Sequence, residues 1–146
     1  LWVHGDLASK DKDGHWFLHG RSDDTIKVSG KRIGPAELEG VLVKTGKVKE
    51  VAAIGLADEK LGNKIILTIV LMPNEKKDKD YYQDLITRDL GKSFKPHNII
   101  FVQDLPKTRN QKIMRRVIKS CLENKSLGDI SMLLNPSSVK ELKKLV

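Results

Sequence analysis

Two runs rich in Val and Ile constrain the fold of this chain more than any other feature. Residues 48–56 and 64–72 hold the β-branched side chains that favour strands, and the polar residues 58–63 separate them. Runs this close together form strands of a common sheet, and helices must cover the apolar faces of such a sheet. The chain has 146 residues, enough for one compact unit with attached ends.

Helical patterns alternate with these strands. Pro35 begins one helix, because proline suits the first helical turn, and Gly46 follows the end of that helix. The pattern at residues 113–122 is amphipathic and places Cys121 on the apolar side, as a small buried hydrophobic residue. The alternation indicates the α/β or α+β class. The remaining predicted elements are helices at residues 82–90 and 139–146 and a strand at residues 98–102.

Shorter strand patterns precede the first helix. Residues 25–28 and 31–33 are joined by Ser29-Gly30, and glycine at such a position accepts a positive φ angle. They predict a hairpin with an exposed turn. Residues 15–19 alternate around Trp16 and Leu18 after the turn at residues 12–14, and predict another strand.

Composition argues against several functional classes. The longest apolar stretch, residues 65–72, is far shorter than the roughly 20 residues that span a bilayer, so we expect no membrane segment. Cys121 is the single cysteine and cannot form an internal disulfide, which favours a reducing, cytoplasmic setting. His15 and His19 share one face of a strand without a third ligand, so we expect no metal site. Because Leu1 opens the chain within strand-like sequence, we expect a piece of a longer protein.

The formal net charge of +8 favours anionic partners, which include nucleic acid, anionic membranes and phosphate-bearing small molecules. Residues 105–116 concentrate this charge: a proline-anchored polar loop delivers Lys112 to the start of a helix whose exposed face is basic. This segment suits contact with an anion. The motifs G-x-x-x-x-G-K-[ST] and G-x-G-x-x-G do not occur, so neither familiar nucleotide-binding scaffold is indicated.

Residues 105–116 resemble a segment of the acyl-CoA synthetases within the adenylate-forming enzymes, which reads L-P-K-T-R-x-x-K-I-M-R-R. Residues 20–35 are similar to a second motif of that family, G-R-x-D-D-x-I-x-V-x-G-x-R-I-x-P. The tail from Gly128 to Pro136 is similar to the acetyl- and propionyl-CoA synthetase branch. The resemblance implies the α+β class, with a small mixed β-sheet flanked by helices and preceded by a β-hairpin.

The same resemblance implies a domain organisation and an activity. Residues 1–22 correspond to the end of the N-terminal adenylation domain and the approach to the hinge, residues 23–125 to a mobile C-terminal domain, and residues 126–146 to a C-terminal tail. ATP, bound with Mg mainly by the N-terminal domain of the same chain, activates a short carboxylic acid such as acetate or propionate to an acyl-adenylate. CoA then accepts the acyl group and AMP leaves.

Site residues follow from the resemblance by position. Lys112 matches the catalytic lysine of adenylation, and Asp23 matches the hinge. Arg88 is the nearest candidate for an arginine that holds a CoA phosphate in many relatives, and the sequence does not fix its register relative to that arginine. The resemblance also assigns nucleotide binding to Asp6 and Arg21, and CoA binding to Ser29, Gly30 and Arg32.

One departure and two alternatives accompany this interpretation. Gln111 stands where most family members have glycine, which affects loop flexibility and recognition of Lys112 by the lysine acetyltransferase and deacetylase that the family suggests. The chain is alternatively an adenylation domain of another adenylate-forming enzyme, or a small basic nucleic-acid-binding module. Aromatic residues make up 5% of the chain and none lies in the basic segment, so we expect no nucleic-acid partner. Because no apolar stretch is long enough to span a bilayer, we also expect no membrane partner.

Overall fold

The computed structural model describes the backbone of residues 6–10 and 16–21 and the whole of residues 25–146. Strand β1 (Asp6–Lys10) pairs antiparallel with β2 (Trp16–Arg21) in a sheet of two strands. In that register Asp6 lies opposite Arg21. The strand predicted around Trp16 is therefore confirmed.

A second hairpin follows, formed by β3 (Ile26–Val28) and β4 (Lys31–Ile33). Its turn holds Ser29 at a φ of 51° and Gly30 at a φ of 83°, both in the left-handed region. A turn of two such residues matches the right-handed twist of the flanking strands. The predicted hairpin is confirmed.

The centre of the larger sheet is the antiparallel pair of β5 (Val48–Asp58) and β6 (Gly62–Leu71). On its other side β6 pairs with β3 at Gly62 and, farther along, with the parallel strand β7 (Asn98–Phe101). The result is a mixed sheet of five strands with β5 on one edge. This confirms the predicted α+β class with a small mixed sheet.

Helices α1 (Pro35–Val43) and α2 (Lys79–Leu90) pack on one face of this sheet, and a short 3-10 helix (Lys92–Phe94) follows α2. Leu38 and Leu42 of α1 and Tyr82 of α2 are fully buried there. Helix α2 begins three residues before the predicted one because the carboxylate of Asp78 accepts a hydrogen bond of 3.1 Å from the backbone N–H of Tyr81.

Helices α3 (Arg115–Leu122) and α4 (Pro136–Leu145) pack on the opposite face. Helix α4 begins earlier than predicted because Pro136 fits the first helical turn, and α3 begins later because residue 113 pairs with Lys107 instead. Burial raises the pKa of Cys121, a packed side chain of α3. The buried side chains of α3 and α4 form a second hydrophobic core against this face of the sheet. From the helices it contains Val117, Ile118, Cys121, Val139 and Leu142, and from the sheet Ala52, Ile54 and Val70.

Two kinds of feature are absent from the described residues. Within the described parts of the chain, no helix is both long and apolar enough to cross a membrane. Across these same residues, no group of three or more His, Cys, Asp or Glu side chains is placed to hold a metal ion. His15 and the side chain of His19 lie outside the described residues.

Candidate active site

Lys112 lies in a tight loop between β7 and α3. Thr108 and Gln111 close a turn through a 2.9 Å hydrogen bond from the N–H of Gln111 to the carbonyl of Thr108. Gln111 has a φ of 66°, in the left-handed region that glycine adopts without steric cost and that strains other residues. The backbone at this position therefore explains a preference for glycine.

Backbone pairing holds Lys112 next to this turn. The N–H of Thr108 donates to the carbonyl of Lys112 at 2.9 Å, and the N–H of Lys112 donates to Thr108 Oγ1 at 3.3 Å. Lys112 is exposed, and no acidic side chain within residues 25–146 forms an ion pair with it. The turn thus leaves the ammonium group of Lys112 accessible to a binding partner.

The base of the loop is tied to the sheet by Lys107. Its Nζ lies 2.6 Å from Glu50 Oε1 and 3.0 Å from Asp104 Oδ1, with 12% of the side chain exposed. Burial alone lowers the pKa of Lys107, but the hydrogen bonds to Glu50 and Asp104 outweigh this effect and raise the pKa above its ordinary value of 10.5. Lys107 is therefore a structural cation that fixes the loop against β5.

Two arginines of the basic segment are also engaged within the fold. Arg115 Nε donates to Glu39 Oε2 at 3.1 Å, and the same carboxylate oxygen accepts the N–H of Ala53 on the edge strand at 2.9 Å. Arg116 donates to the carbonyls of Leu127 and Asp129. Arg109, Lys112 and Lys119 remain exposed. The basic segment is thus only partly a free surface, which weakens the nucleic-acid alternative.

The turn of the β3–β4 hairpin is the second predicted site. Ser29 donates its N–H to the carbonyl of Leu61 at 2.8 Å, which docks the turn beside the connection between β5 and β6. A Cβ added to Gly30 would meet no atom within 4 Å, so its glycine is required by the φ angle and not by crowding within the chain. Ser29, Gly30 and Arg32 are all exposed.

A cavity of about 440 Å³ lies beside this turn, and Ser29 lines it. Three lysines around it, Lys64, Lys92 and Lys95, come from β6 and from the segment after α2, and His97 lines the cavity beside them. Sequence reasoning missed them because they converge only through folding. Arg88 does not line this cavity; it is exposed and pairs with Asp89 at 3.0 Å, and its proposed role stays a prediction.

The two predicted sites are anchored at opposite ends of β5. Glu50, which holds Lys107, lies near the start of the strand, whereas Asp58 at its end pairs with Gly62 beside the hairpin turn. Eight residue steps of about 3.3 Å separate Glu50 from Asp58, so the anchors are roughly 26 Å apart. The Lys112 loop and the hairpin turn therefore cannot both contact one bound ligand in a single orientation of the domain.

Three predicted site residues lie outside what the structure describes in atomic detail. The backbone places Asp6 opposite Arg21 in the β1–β2 pair, and the side chains of both residues lie outside the described atoms. Asp23, the predicted hinge, lies outside the described residues. These three roles stay predictions.

Residues 37–112 match the family model of the AMP-binding enzyme C-terminal domain, and the matched segment ends on Lys112. The chain belongs to this family. The matched residues contain strands β5, β6 and β7 of the sheet, helix α1 from its third residue onward, all of α2 and the loop up to Lys112. Membership of this family is the reason to prefer a domain of an AMP-binding enzyme to a nucleic-acid-binding module.

Curated relatives are similar over nearly the whole domain. The acetyl-coenzyme A synthetase of Methanothrix thermoacetophila is 43% identical, over 99% of this chain and 22% of the relative. Acetyl-coenzyme A synthetase 2 of Candida albicans is 39% identical, over 93% of this chain and 21% of the relative. The chain thus spans about a fifth of the length of the curated relatives it matches.

Solved structures share the fold of this AMP-binding C-terminal domain. A fatty acyl CoA synthetase of Mycobacterium tuberculosis superposes with a TM-score of 0.69 at 30% identity, over 80% of this chain and 23% of that structure. The amide bond synthetase McbA of Marinactinospora thermotolerans superposes with a TM-score of 0.74 at 25% identity, over 81% of this chain and 24% of that structure. One fold thus occurs in enzymes whose names differ in the bond they make.

Proposed function

We propose that this chain is the mobile C-terminal domain of an AMP-forming acid–thiol ligase of the acetyl-CoA synthetase type. In the first half-reaction a carboxylate oxygen attacks the α-phosphorus of ATP, the bond to the β-phosphate breaks, and pyrophosphate leaves. In the second, the sulfur of CoA loses its proton and attacks the acyl carbon, and AMP leaves with the bridging oxygen. The names of the curated relatives support acetate, or the similar propionate, as the acid.

Lys112 acts in the first half-reaction. Negative charge accumulates around the carboxylate and the α-phosphate during the displacement, and an ammonium group stabilises it best where water is excluded. The exposed position of Lys112 on a braced turn supports this role, because the lysine then meets the nucleotide only when the domain closes over it.

The hairpin turn acts in the second half-reaction. Gly30 has no side chain, so the backbone of the turn can line a narrow passage for the pantetheine arm of CoA, with Ser29 and Arg32 beside it. The cations around the adjoining cavity, above all Lys64, Lys92 and Lys95, suit the phosphates of CoA.

The single observation that carries this proposal is the separation of the two sites along β5. Because Lys112 and Gly30 are anchored at opposite ends of the strand, each can face the nucleotide only in its own orientation of the domain. We place the rotation between these orientations at Asp23, with the domain running from residue 23 to residue 125 and the tail after it. The first half-reaction thus requires one orientation and the second requires the other.

The remaining components come from outside residues 25–146. Because acidic clusters suited to a cation are absent from residues 25–146, we place ATP and its Mg²⁺ mainly on the N-terminal adenylation domain, with Asp6 and Arg21 at the ribose. The chain alone is then expected to make no acyl-adenylate. The single cysteine supports a cytoplasmic setting.

Lys112 is also the proposed target of a lysine acetyltransferase and a deacetylase. Acetylation removes the positive charge and with it the electrostatic role of the side chain. The exposure of Lys112 on a turn supports access by a modifying enzyme. Gln111 is exposed next to it, so it contributes to what such an enzyme contacts.

Product analysis of the full-length protein tests this function. With ATP, CoA and either acetate or propionate, we expect acyl-CoA, AMP and pyrophosphate in equal amounts. Formation of ADP in place of AMP would contradict an adenylate-forming enzyme. Acyl transfer to an amine or a carrier protein, with none to CoA, would instead support the alternative of an adenylation domain with another acceptor. The fold that this chain shares with an amide bond synthetase is the reason to test that alternative.

A further inference from the structure

The side chain of Asn135 fills the base of the Lys112 loop with three hydrogen bonds. Its Oδ1 accepts the N–H of Lys107 at 2.9 Å. Its Nδ2 donates to Asp104 Oδ2 and to the carbonyl of Leu105, each at 2.7 Å. All of these partners lie on the stretch of chain that enters the loop.

Only an amide satisfies this set of partners. The site needs one acceptor and two donors, which asparagine supplies and aspartate does not. An aspartate at position 135 would set a carboxylate against that of Asp104 and would leave the carbonyl of Leu105 without its donor. Because Asn135 is half-buried, water is less able to replace the hydrogen bonds that such a change removes.

Asn135 belongs to a network that reaches the sheet. Asp104 accepts from Asn135 through one oxygen and from Lys107 Nζ through the other, and Lys107 continues to Glu50 of β5. Burial alone raises the pKa of Asp104, but the hydrogen bonds from Lys107 and Asn135 outweigh it and hold that pKa below its ordinary value of 3.8. The carboxylate is thus kept ionised as the centre of the network.

The network is connected to Lys112 through the backbone of the loop. Lys107 pairs with Ile113, and Thr108 pairs with both Lys112 and Leu133. The N–H of Leu134 donates to the carbonyl of Lys107 at 2.8 Å. Residues 133–135 thus lie alongside residues 107–108, which pair on their other side with residues 112–113. The hydrogen bond from the N–H of Lys107 to Asn135 fixes the alignment of the two segments.

We propose that Asn135 is a positioning residue for adenylate formation, which acts through the loop base to hold Lys112 at the place where the nucleotide meets it. This inference rests on the proposed function of Lys112. It assigns residues 133–135 of the predicted tail to the active site, as a brace that the family match over residues 37–112 does not include.

Half-reaction kinetics of the full-length protein test the proposal. In Asn135→Asp and Asn135→Ala, the kcat for acid-dependent exchange of pyrophosphate into ATP should fall roughly 10- to 100-fold, since small displacements of a catalytic group cost this much. The KM for ATP and CoA-dependent consumption of supplied acyl-adenylate should stay within about twofold, because the second orientation does not use Lys112.

Two controls separate positioning from general destabilisation. Thr68→Val removes another buried hydrogen bond, that from Thr68 Oγ1 to the carbonyl of Ala52 at 3.1 Å in the sheet, and should leave exchange unchanged. Adding Asp104→Asn to Asn135→Asp returns a donor opposite the new carboxylate, and should recover about fivefold of the lost exchange rate.

The outcomes distinguish this proposal from the function on which it rests. Equal loss of both half-reactions in the Asn135 variants, exchange at the wild-type rate, or a selective loss in Thr68→Val as well would overturn the positioning role. Lys112→Ala is measured in parallel. If Lys112→Ala exchanges pyrophosphate normally, the proposed function of the lysine has failed; if it does not and the Asn135 variants do, only the positioning role has failed.

Discussion

The Lys112 loop and the β3–β4 hairpin are both short turns with a left-handed residue, but they are held in different ways. The turn of the hairpin is formed locally, because its strands adjoin it in sequence, and Ser29, Val28 and Lys27 dock it against the neighbouring residues 61–63. The loop depends on distant residues, namely Glu50 on β5 and Asn135 before α4. One domain thus carries a turn with local determinants at one end of its sheet and a turn braced by distant residues at the other.

Gly30→Leu should have the largest effect, and should affect the hairpin alone. A side chain here enters the proposed pantetheine passage and strains a φ of 83°, so CoA-dependent consumption of supplied acyl-adenylate should fall roughly a hundredfold or more. Pyrophosphate exchange should stay within about twofold of wild type.

Gly46→Leu is the matched control for Gly30→Leu. Gly46 has a φ of 74° and equally open surroundings, but it lies beyond the end of α1. Both half-reactions should survive this change. If Gly30→Leu forms thioester at the rate of Gly46→Leu, the hairpin is only a turn.

Lys107→Met should break the loop and spare the hairpin. The change leaves the carboxylates of Glu50 and Asp104 without their shared cation, so the free energy of unfolding of the 146-residue chain should fall by about 2–4 kcal/mol in denaturant titrations. Lys119→Met, which removes an exposed lysine of α3, should change it by less than about 0.5 kcal/mol. Equal effects of the two changes would show that the brace contributes nothing to stability.

Acid should weaken the same brace. The pKa of Asp104 is lowered in the folded chain, so its contribution to stability is complete above the ordinary value of 3.8 and is lost as the pH falls through the folded pKa. The carboxylate is half-exposed, so we expect about 1 kcal/mol or less. The difference in unfolding free energy between wild type and Asp104→Asn should therefore shrink between pH 6 and pH 3; a difference that grows on acidification would reverse the assigned sign.

Gln111→Gly should have the smallest effect, and of opposite sign. A φ of 66° costs glutamine more than glycine, and relief of this strain should exceed the added chain entropy by roughly 0.5–1 kcal/mol. The melting temperature should rise by about 2–4 °C. Asn110→Gly, at the preceding exposed position without a positive φ, should give no rise. A rise in both variants would mean that the backbone strain at residue 111 is not the cause.

The hairpin shows how far the sequence alone could lead. Ser29-Gly30 between two short apolar patterns predicts the strands and the turn, since every determinant lies within a few residues. The central strands and the segment that carries Lys112 were predictable for the same reason. The ends of the helices were less predictable from the sequence. The cap at Asp78 makes α2 start earlier than predicted, and the pairing of residue 113 with Lys107 makes α3 start later.

The surroundings of the two sites could not be predicted in this way. Glu50 and Asn135 meet the loop, and Lys64 and Lys92 meet the cavity beside the hairpin, from elements far apart in sequence. Their side chains are ordinary in pattern, and only the packing of β5, β6 and α4 gives them a role. Motifs thus located the turns, while the long-range contacts that hold them required the fold.

Lys112→Ala in the full-length protein tests the division of labour most directly, with both half-reactions measured on the same preparation. Removing one charge contact to a transition state should lower acid-dependent pyrophosphate exchange by roughly a hundredfold or more, and CoA-dependent consumption of supplied acyl-adenylate should stay within about twofold. Lys119→Ala, at another exposed lysine, should change neither rate. Equal loss in both half-reactions, or exchange at the wild-type rate, would contradict the assignment of Lys112 to a single orientation of the domain.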